Sequence, residues 1–318
     1  MPSATVSAPA RLHVGFVNLS LARDRVYGGI GMAVEEPRTT LTAEPGDGVT
    51  VTGGNGRVRR YVERAVDLLD VPGAAVEVES LIPPHVGMGS GTQLALTALA
   101  AVGDAHDVDV DVRERAPALG RGGRSGVGVA TFEDGGFVVD AGHPARRFTV
   151  EPPAQGDWDV PAVVARHGLP DDWRAVVAVP TAAEPVHGSD EDARLRDAML
   201  TADAGSAAEV DEALVDMVLP GAAEGDRRAF AAGVERIDRV NGAWYADVQG
   251  GRHREPARPL VEALRDRPDV DAVGQSSWGP AVYGVTTASA AEDVRGAVAG
   301  DGRDVVVTPF DDEGARRD

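Results

Sequence analysis

The sequence predicts a mixed α+β chain in two domains, on three observations. Strand-like and helix-period segments alternate from one end to the other. A length of 318 residues supplies core for one large domain or two ordinary ones. Glu151 to Asp172 is rich in Pro, Gly and Asp with little periodicity, which makes it the best place to divide the chain. The expected domains are residues 1–160 and 161–318.

The elements follow in order. Thr5 to Asn18 reads as a strand carrying Arg11, His13 and Gly15. Arg25 to Gly31, RVYGGIG, reads as a glycine-rich turn leading into another apolar stretch. Thr39 to Ala43 and Val49 to Thr52 read as short strands around Pro45-Gly46-Asp47-Gly48. Val58, Val62, Ala65, Val66 and Leu69 fall at helical spacing, and Pro72-Gly73 stops that helix. Ala75 to Ile82 alternates as a strand and delivers the chain to PPHVGMGSG. Gln93 to Val102 is apolar almost all round, which predicts a buried helix with Ser90 or Thr92 capping its first turn. Gly120 to Gly128, GRGGRSGVG, is a second glycine-rich loop. A hairpin is expected over Val129 to Asp140, turning at Glu133-Asp134-Gly135-Gly136.

Beyond the boundary, Arg174 to Val179 reads as a buried strand, and a later helix carries Phe230, Val234, Ile237 and Trp244. Val273 to Val285, VGQSSWGPAVYGV, is a third glycine-containing loop beside a strand. Ala290 to Val298 reads as a helix and Asp304 to Thr308 as the last strand. The chain has no internal repeat and no low-complexity tract.

Composition excludes several classes of chemistry. With no cysteine there is no disulfide framework, thiolate nucleophile or cysteine-bound metal. With 51 acidic and 31 basic residues the net charge is −20, and every basic residue is Arg. That balance argues against non-specific binding to nucleic acid or to an anionic membrane. The absence of Lys removes a P-loop lysine and Schiff-base chemistry, so an anion must be held by Arg, His, a metal or backbone N–H groups. The acidic, lysine-free surface favours a high-salt cytoplasm, where at ~1 M salt the Debye length is about 3 Å. A GC-rich genome replacing Lys by Arg is the alternative source of the pattern. No apolar run is long enough for a bilayer and the N-terminus lacks signal-peptide architecture, so a cytoplasmic protein is expected.

The segment PPHVGMGSG can cradle a phosphate at the start of a helix. Its glycines let backbone approach the anion, and free N–H groups and the helix dipole supply positive potential. Gly87, Gly89, Ser90 and Gly91 are the candidate contacts. Taken alone, the segment is read equally well as a tight strand-to-helix turn.

Three segments in order resemble the GHMP kinase superfamily: PARLHVGF, PPHVGMGSG and VGQSSWGPAVYG. HVGMGSGTQ, GRGGRSGVGVATFEDGGFVVDAGH and GQSSWGP resemble one branch of it, the β-ribofuranosylaminobenzene 5′-phosphate synthases. The resemblance spans nearly the whole chain. It implies a two-domain α+β GHMP kinase-like fold with the active site in the interdomain cleft. It also implies condensation of phosphoribosyl diphosphate with 4-aminobenzoate or 4-hydroxybenzoate, losing CO2 and diphosphate, on the pathway to methanopterin. Many kinases of the superfamily carry a catalytic Asp in the second loop, and that position falls on Gly128 here. A glycine cannot take a proton. The alternatives are a small-molecule kinase using ATP and a non-catalytic relative that keeps the fold.

Under this resemblance Arg121 and Arg124 are candidates for holding the anion, with surface ion pairing as their other reading. His85 could donate to a phosphate or act as acid for the leaving group, or be a turn histidine satisfied by backbone. Arg124 and His85 are the expected catalytic residues. Thr92, Ser125, Ser276 and Ser277 are expected substrate contacts, and the Gln93 amide is expected to meet the aromatic ring. Trp278 reads as a ring contact or as core filling, and Asp140 as a metal ligand, an Arg partner or the end of a hairpin. His13 and His143 lie in family-like motifs, whereas His106, His167, His187 and His253 read as surface. The run Asp311-Asp312-Glu313 reads as a solvated acidic tail. Mg²⁺ is the expected bridging ion on a diphosphate, with ligands unassigned. The expected partners are phosphoribosyl diphosphate and an aromatic acid, with neither nucleic acid nor membrane, and a homodimer is compatible with the sequence.

Overall fold

The computed structural model describes residues 3–147, 156–180, 188–300 and 302–318; His187 and the start of the expected boundary lie outside them. The chain opens on two long antiparallel strands, β1 (Ala4–Asn18) and β2 (Arg25–Pro45). Their register shifts between Pro9 and Ala10 and again between His13 and Gly15. Bulges of this kind re-aim side chains beside functional sites. RVYGGIG is therefore the start of β2 and not a turn: Tyr27 and Gly28 take positive φ of 69 and 75°, and pairing with β1 continues through them.

β3 (Val49–Thr52) is followed by α1 (Gly56–Leu69), whose buried face is Val58, Val62 and Ala65. The Asn55 side chain caps α1 by accepting from the N–H groups of Arg57 and Val58. β4 (Ala74–Ser80) pairs parallel with β3 and antiparallel with β2. α2 (Ser90–Ala105) is buried continuously from Gln93 to Gly103, as its apolar run predicts. Its N-cap is Gly89, without a side-chain cap, so the expected capping by Ser90 or Thr92 does not occur.

α3 (Val112–Arg115) leads to α4 (Val127–Glu133), which occupies the first half of the expected hairpin. Short apolar runs do not distinguish a buried helix from a buried strand. Only Phe137–Asp140 is a strand, β5, entered through Gly135 and Gly136 at positive φ. β6 (His143–Pro144) and β7 (Val163–His167) complete this part of the chain. β7 lies just beyond the expected division at residue 160 and pairs with β5 in the first sheet.

β8 (Trp173–Pro180) begins a second sheet. Helices α5 (Gly188–Thr201), α6 (Ala204–Ala213), α7 (Leu219–Glu224), α8 (Arg227–Gln249) and α9 (Arg258–Arg265) follow. β9 (Ala272–Gln275), β10 (Val282–Thr287), α10 (Ala291–Val298), β11 (Arg303–Thr308) and β12 (Arg316–Arg317) end the chain. The second sheet has the order β11-β8-β10-β9, while β12 returns to pair with β1.

One apolar cluster joins the two sheets through α8. Leu12, Ile30 and Phe137 share it with Trp173, Val177, Tyr283 and Phe230. The Phe230 ring lies 5.3 Å from that of Phe137 and 5.4 Å from that of Trp173. The expected acidic tail is partly core: Asp311 is buried and pairs with buried Arg38 at 2.7 Å, because a guanidinium taken from water needs a counter-charge. Among the described residues no helix is long and apolar enough to cross a membrane.

Candidate active site

The phosphate loop is held against two neighbours. Gly87 and Gly89 have φ of 96 and 78°, values that any other residue adopts at a cost. A Cβ on Gly87 would lie 2.3 Å from the Ser276 carbonyl oxygen, and one on Gly89 2.8 Å from Cγ of Arg11. Arg11 Nη1 donates to the Gly87 carbonyl at 2.7 Å, and the Ser276 hydroxyl donates to the same oxygen at 2.8 Å. The His13 N–H donates to Ser276 Oγ at 2.9 Å, and the Ser277 N–H to the His13 carbonyl at 3.2 Å. A Cβ on Gly279 would meet the Val86 carbonyl at 2.2 Å. The first strand, the phosphate loop and the third glycine loop therefore converge.

Cations gather at the mouth of this loop. A Cβ on Gly91 would lie 3.0 Å from Nη1 of Arg121 and 3.0 Å from Nη2 of Arg57. Arg121 lies over the Tyr61 ring, 5.3 Å from its centroid, and its buried Nε has no acceptor. Neither Arg57 nor Arg121 makes an ion pair among the described residues. Burial, then the charges of Arg57 and Arg124, pull Arg121 down to about 10. Burial and Arg60 lower Arg57 in the same direction. Helix geometry also leaves the first N–H groups of α2 without intrahelical acceptors. Like charges pressed together beside a helix N-terminus are relieved by a bound anion.

His13 is the cluster's neutral member. Burial, then Arg11 and Arg124, hold its imidazole well below the usual histidine range. Arg124 thus acts electrostatically on both His13 and Arg121. Exposed His85 sits on the loop with φ of 62°. Thr92 and Gln93 turn toward α4. The Thr92 side chain comes within 3.2 Å of where a Gly128 Cβ would be, and Gln93 Nε2 donates to the Gly128 carbonyl at 2.9 Å. Gln93 is fully buried, and its Nε2 bond braces two helices.

Ser125 Oγ donates to Asp140 Oδ2 at 3.0 Å. The same oxygen accepts from Gly126 N–H at 2.7 Å, and Oδ1 accepts from Gly142 N–H at 2.8 Å. Burial raises the Asp140 pKa, against the pull of these bonds. Asp140 is thereby committed to positioning the second loop. No group of three or more His, Asp or Glu able to hold a metal occurs among the described residues.

Arg121, Arg124, Ser276 and Ser277 thus belong to one assembly with the loop glycines. Arg11 and Arg57 belong to it too and were not among the expected contacts. Arg11 stands in the PARLH segment, where its motif is the signal; Arg57 sits in an ordinary amphipathic helix and carries none. His253, expected at the surface, is buried against Asp238.

Residues 57–136 match the GHMP kinases N terminal domain. The chain is 33% identical to the β-ribofuranosylphenol 5′-phosphate synthase of Methanothermobacter thermautotrophicus, over 98% of this chain and 97% of that protein. It is 31% identical to the synthase of the same name from Archaeoglobus fulgidus, over 89% of this chain and 87% of that protein. Among solved structures, homoserine kinase from Cytophaga hutchinsonii superposes with a TM-score of 0.68 at 20% identity, covering 100% of this chain and 98% of that one. Mevalonate pyrophosphate decarboxylase from Streptococcus pyogenes also gives 0.68, at 13% identity, covering 98% of this chain and 97% of that one. These structures share the fold alone. The chain belongs to the β-ribofuranosylphenol 5′-phosphate synthase family, built on the GHMP kinase fold.

Proposed function

We propose that the chain transfers the phosphoribosyl group of phosphoribosyl diphosphate to a 4-substituted benzoate, releasing CO2 and diphosphate. The phenol in the name of its relatives favours 4-hydroxybenzoate over 4-aminobenzoate as acceptor. The observation that carries the reading is the pair Arg57 and Arg121, without acid partners among the described residues, converging on Gly91 of the phosphate loop. In a chain of net charge −20, a half-buried cationic cluster of this kind is a place for a highly charged anion.

The ring carbon that bears the carboxylate bonds to ribose C1, while the C1–O bond breaks and its electron pair leaves on the diphosphate. The ring–carboxylate bond then breaks, CO2 departs, and its electrons restore aromaticity. Arg11, Arg57, Arg121 and Arg124 neutralise the charge that grows on the departing diphosphate, and backbone N–H groups of the loop orient it. No hydroxyl has to be activated for phosphoryl transfer, so Gly128 needs no carboxylate. Charge on the diphosphate is met by guanidinium groups, and no protein carboxylate is assigned to Mg²⁺.

The test supplies phosphoribosyl diphosphate and carboxyl-labelled 4-hydroxybenzoate in molar KCl with Mg²⁺. Equimolar CO2 and diphosphate are expected. Gly89→Val should abolish both, because the new side chain meets Arg11 and the φ of 78° disfavours a β-branched residue. ADP and a phosphorylated product from ATP and a hydroxylated metabolite, with no CO2 from any benzoate, would overturn the reading.

A further inference from the structure

A second cleft opens between β1, α8 and the third glycine loop, with about 410 Å³ of space including its open mouth. His13, Phe16, Tyr245, Trp278, Asp238 and His253 are among the residues that line it. It shares a wall with the phosphate site, because the His13 N–H binds the Ser276 hydroxyl that in turn holds the Gly87 carbonyl. Much of the lining is aromatic. The Tyr245 and Trp278 rings lie 4.5 Å apart, and those of His13 and Phe16 4.9 Å apart. Rings so arranged suit a flat aromatic ligand.

The lining also includes a dyad. Buried Asp238 accepts from His253 Nε2 at 3.0 Å, from Arg265 at 2.8 Å and from Arg252 at 3.1 Å. Burial works against the Asp238 charge, but His253, Arg265 and Arg252 together hold its carboxyl below the usual range. An ionised carboxylate only accepts, so Nε2 of His253 is the donor, and in the neutral imidazole Nδ1 carries the lone pair. No hydrogen bond to Nδ1 occurs among the described residues. This is the geometry of an oriented base lining an aromatic cleft.

We infer that His253, held by Asp238, is the catalytic base that takes the proton from the para-hydroxyl of an aromatic acceptor bound in this cleft. The inference rests on the synthase reading and assigns it a residue and an acceptor pocket. Proton loss from the hydroxyl to Nδ1 sends electron density to the ring carbon para to it, which bears the carboxylate and attacks ribose C1. The C1–O bond breaks as the C–C bond forms, leaving a dienone. Loss of CO2 returns two electrons to the ring and gives the phenolate, which recovers its proton from His253. No oxidant or other reactant is needed.

The experiment compares wild type and His253→Gln with 4-hydroxybenzoate and with 3,5-difluoro-4-hydroxybenzoate, whose more acidic phenol is already ionised near neutral pH. With 4-hydroxybenzoate the variant should lose about 10²–10⁴-fold in kcat, the usual worth of a general base. The difluoro acceptor should restore most of that loss, whereas a merely structural His253 would give equal losses with both. Equal losses, or none, overturn the inference. Binding supplies a second measurement that needs no variant: 4-hydroxybenzoate bound to wild type with diphosphate present should show the red-shifted ultraviolet band of its phenolate. A bound acceptor with an unshifted spectrum also overturns it. Absence of CO2 from wild type with either acceptor would instead sink the synthase reading, whatever the spectrum shows.

Discussion

Arg38 and Arg121 are two largely buried arginines that the fold treats in opposite ways. Arg38, on β2, gives Nη1 to Asp311 at 2.7 Å, Nε to Ser7 Oγ at 2.9 Å, and Nη2 to the carbonyls of Ser7 and Gly314 at 2.7 and 3.0 Å. It ties the C-terminal segment to the first sheet. Arg121 has a tyrosine face, two arginine neighbours and, among the described residues, no acceptor for Nε. Acids are not scarce in a chain with 51 of them, so the open coordination of Arg121 supports the proposed diphosphate site. A satisfied guanidinium fixes structure, and an unsatisfied one marks a site.

The largest effect should come from the satisfied member. Arg38→Ala leaves Asp311 buried and uncompensated, a loss of about 3–5 kcal/mol. A melting temperature unchanged from wild type would show that Arg38 and Asp311 are not the clasp described. Arg121→Met should do the reverse. Diphosphate affinity should fall about ten- to a hundredfold, from roughly 1.5–3 kcal/mol, while the unliganded protein melts no lower than wild type. Unaltered binding by calorimetry would return Arg121 to the structural class.

Acid should separate the two regions again. Burial acts to raise the Asp311 pKa, but hydrogen bonds with Glu35, the Gly314 N–H and Arg38 outweigh it and hold it low. A depressed carboxyl stabilises the fold above its unfolded value of about 3.9, and that contribution is lost as pH falls through the lower folded value. Asp311→Asn should therefore lose stability at neutral pH and show a flatter acid limb below about pH 4. An acid limb identical to that of wild type would contradict the assignment. Arg121 works in the opposite sense. Its folded value of about 10 lies below the ordinary arginine value, so its charge opposes the unliganded fold at neutral pH. Saturating diphosphate should then raise the melting temperature, and Arg121→Met should shrink that rise. The smallest and least local effect is salt: screening the −20 charge from low to molar KCl should raise the melting temperature of every variant alike.

The loops of the site were legible in the sequence because they demand glycine. Gly87 and Gly89 hold positive φ, and Gly279 has no room for a Cβ against Val86. Buried α2 was legible from its unbroken apolar run. Contacts made at long range were not. Arg38 and Asp311 lie 273 residues apart, and Arg57 reaches Gly91 from a helix whose pattern speaks only of amphipathicity. His253 and Asp238 come from different segments, so neither carries a local sign that the other will meet it. Residues 127–133 misled in a different way, because VGVATFE packs on α2 and the sheet as a helix although its composition suits a strand equally well.

The most direct measurement is the affinity of phosphoribosyl diphosphate for wild type and for the double variant Arg57→Met/Arg121→Met, by calorimetry, beside the melting temperatures of both unliganded proteins. Binding more than about a hundredfold weaker, with melting at or above that of wild type, is the predicted result. A double variant that binds the donor as tightly as wild type would contradict the assignment of this cluster to the diphosphate.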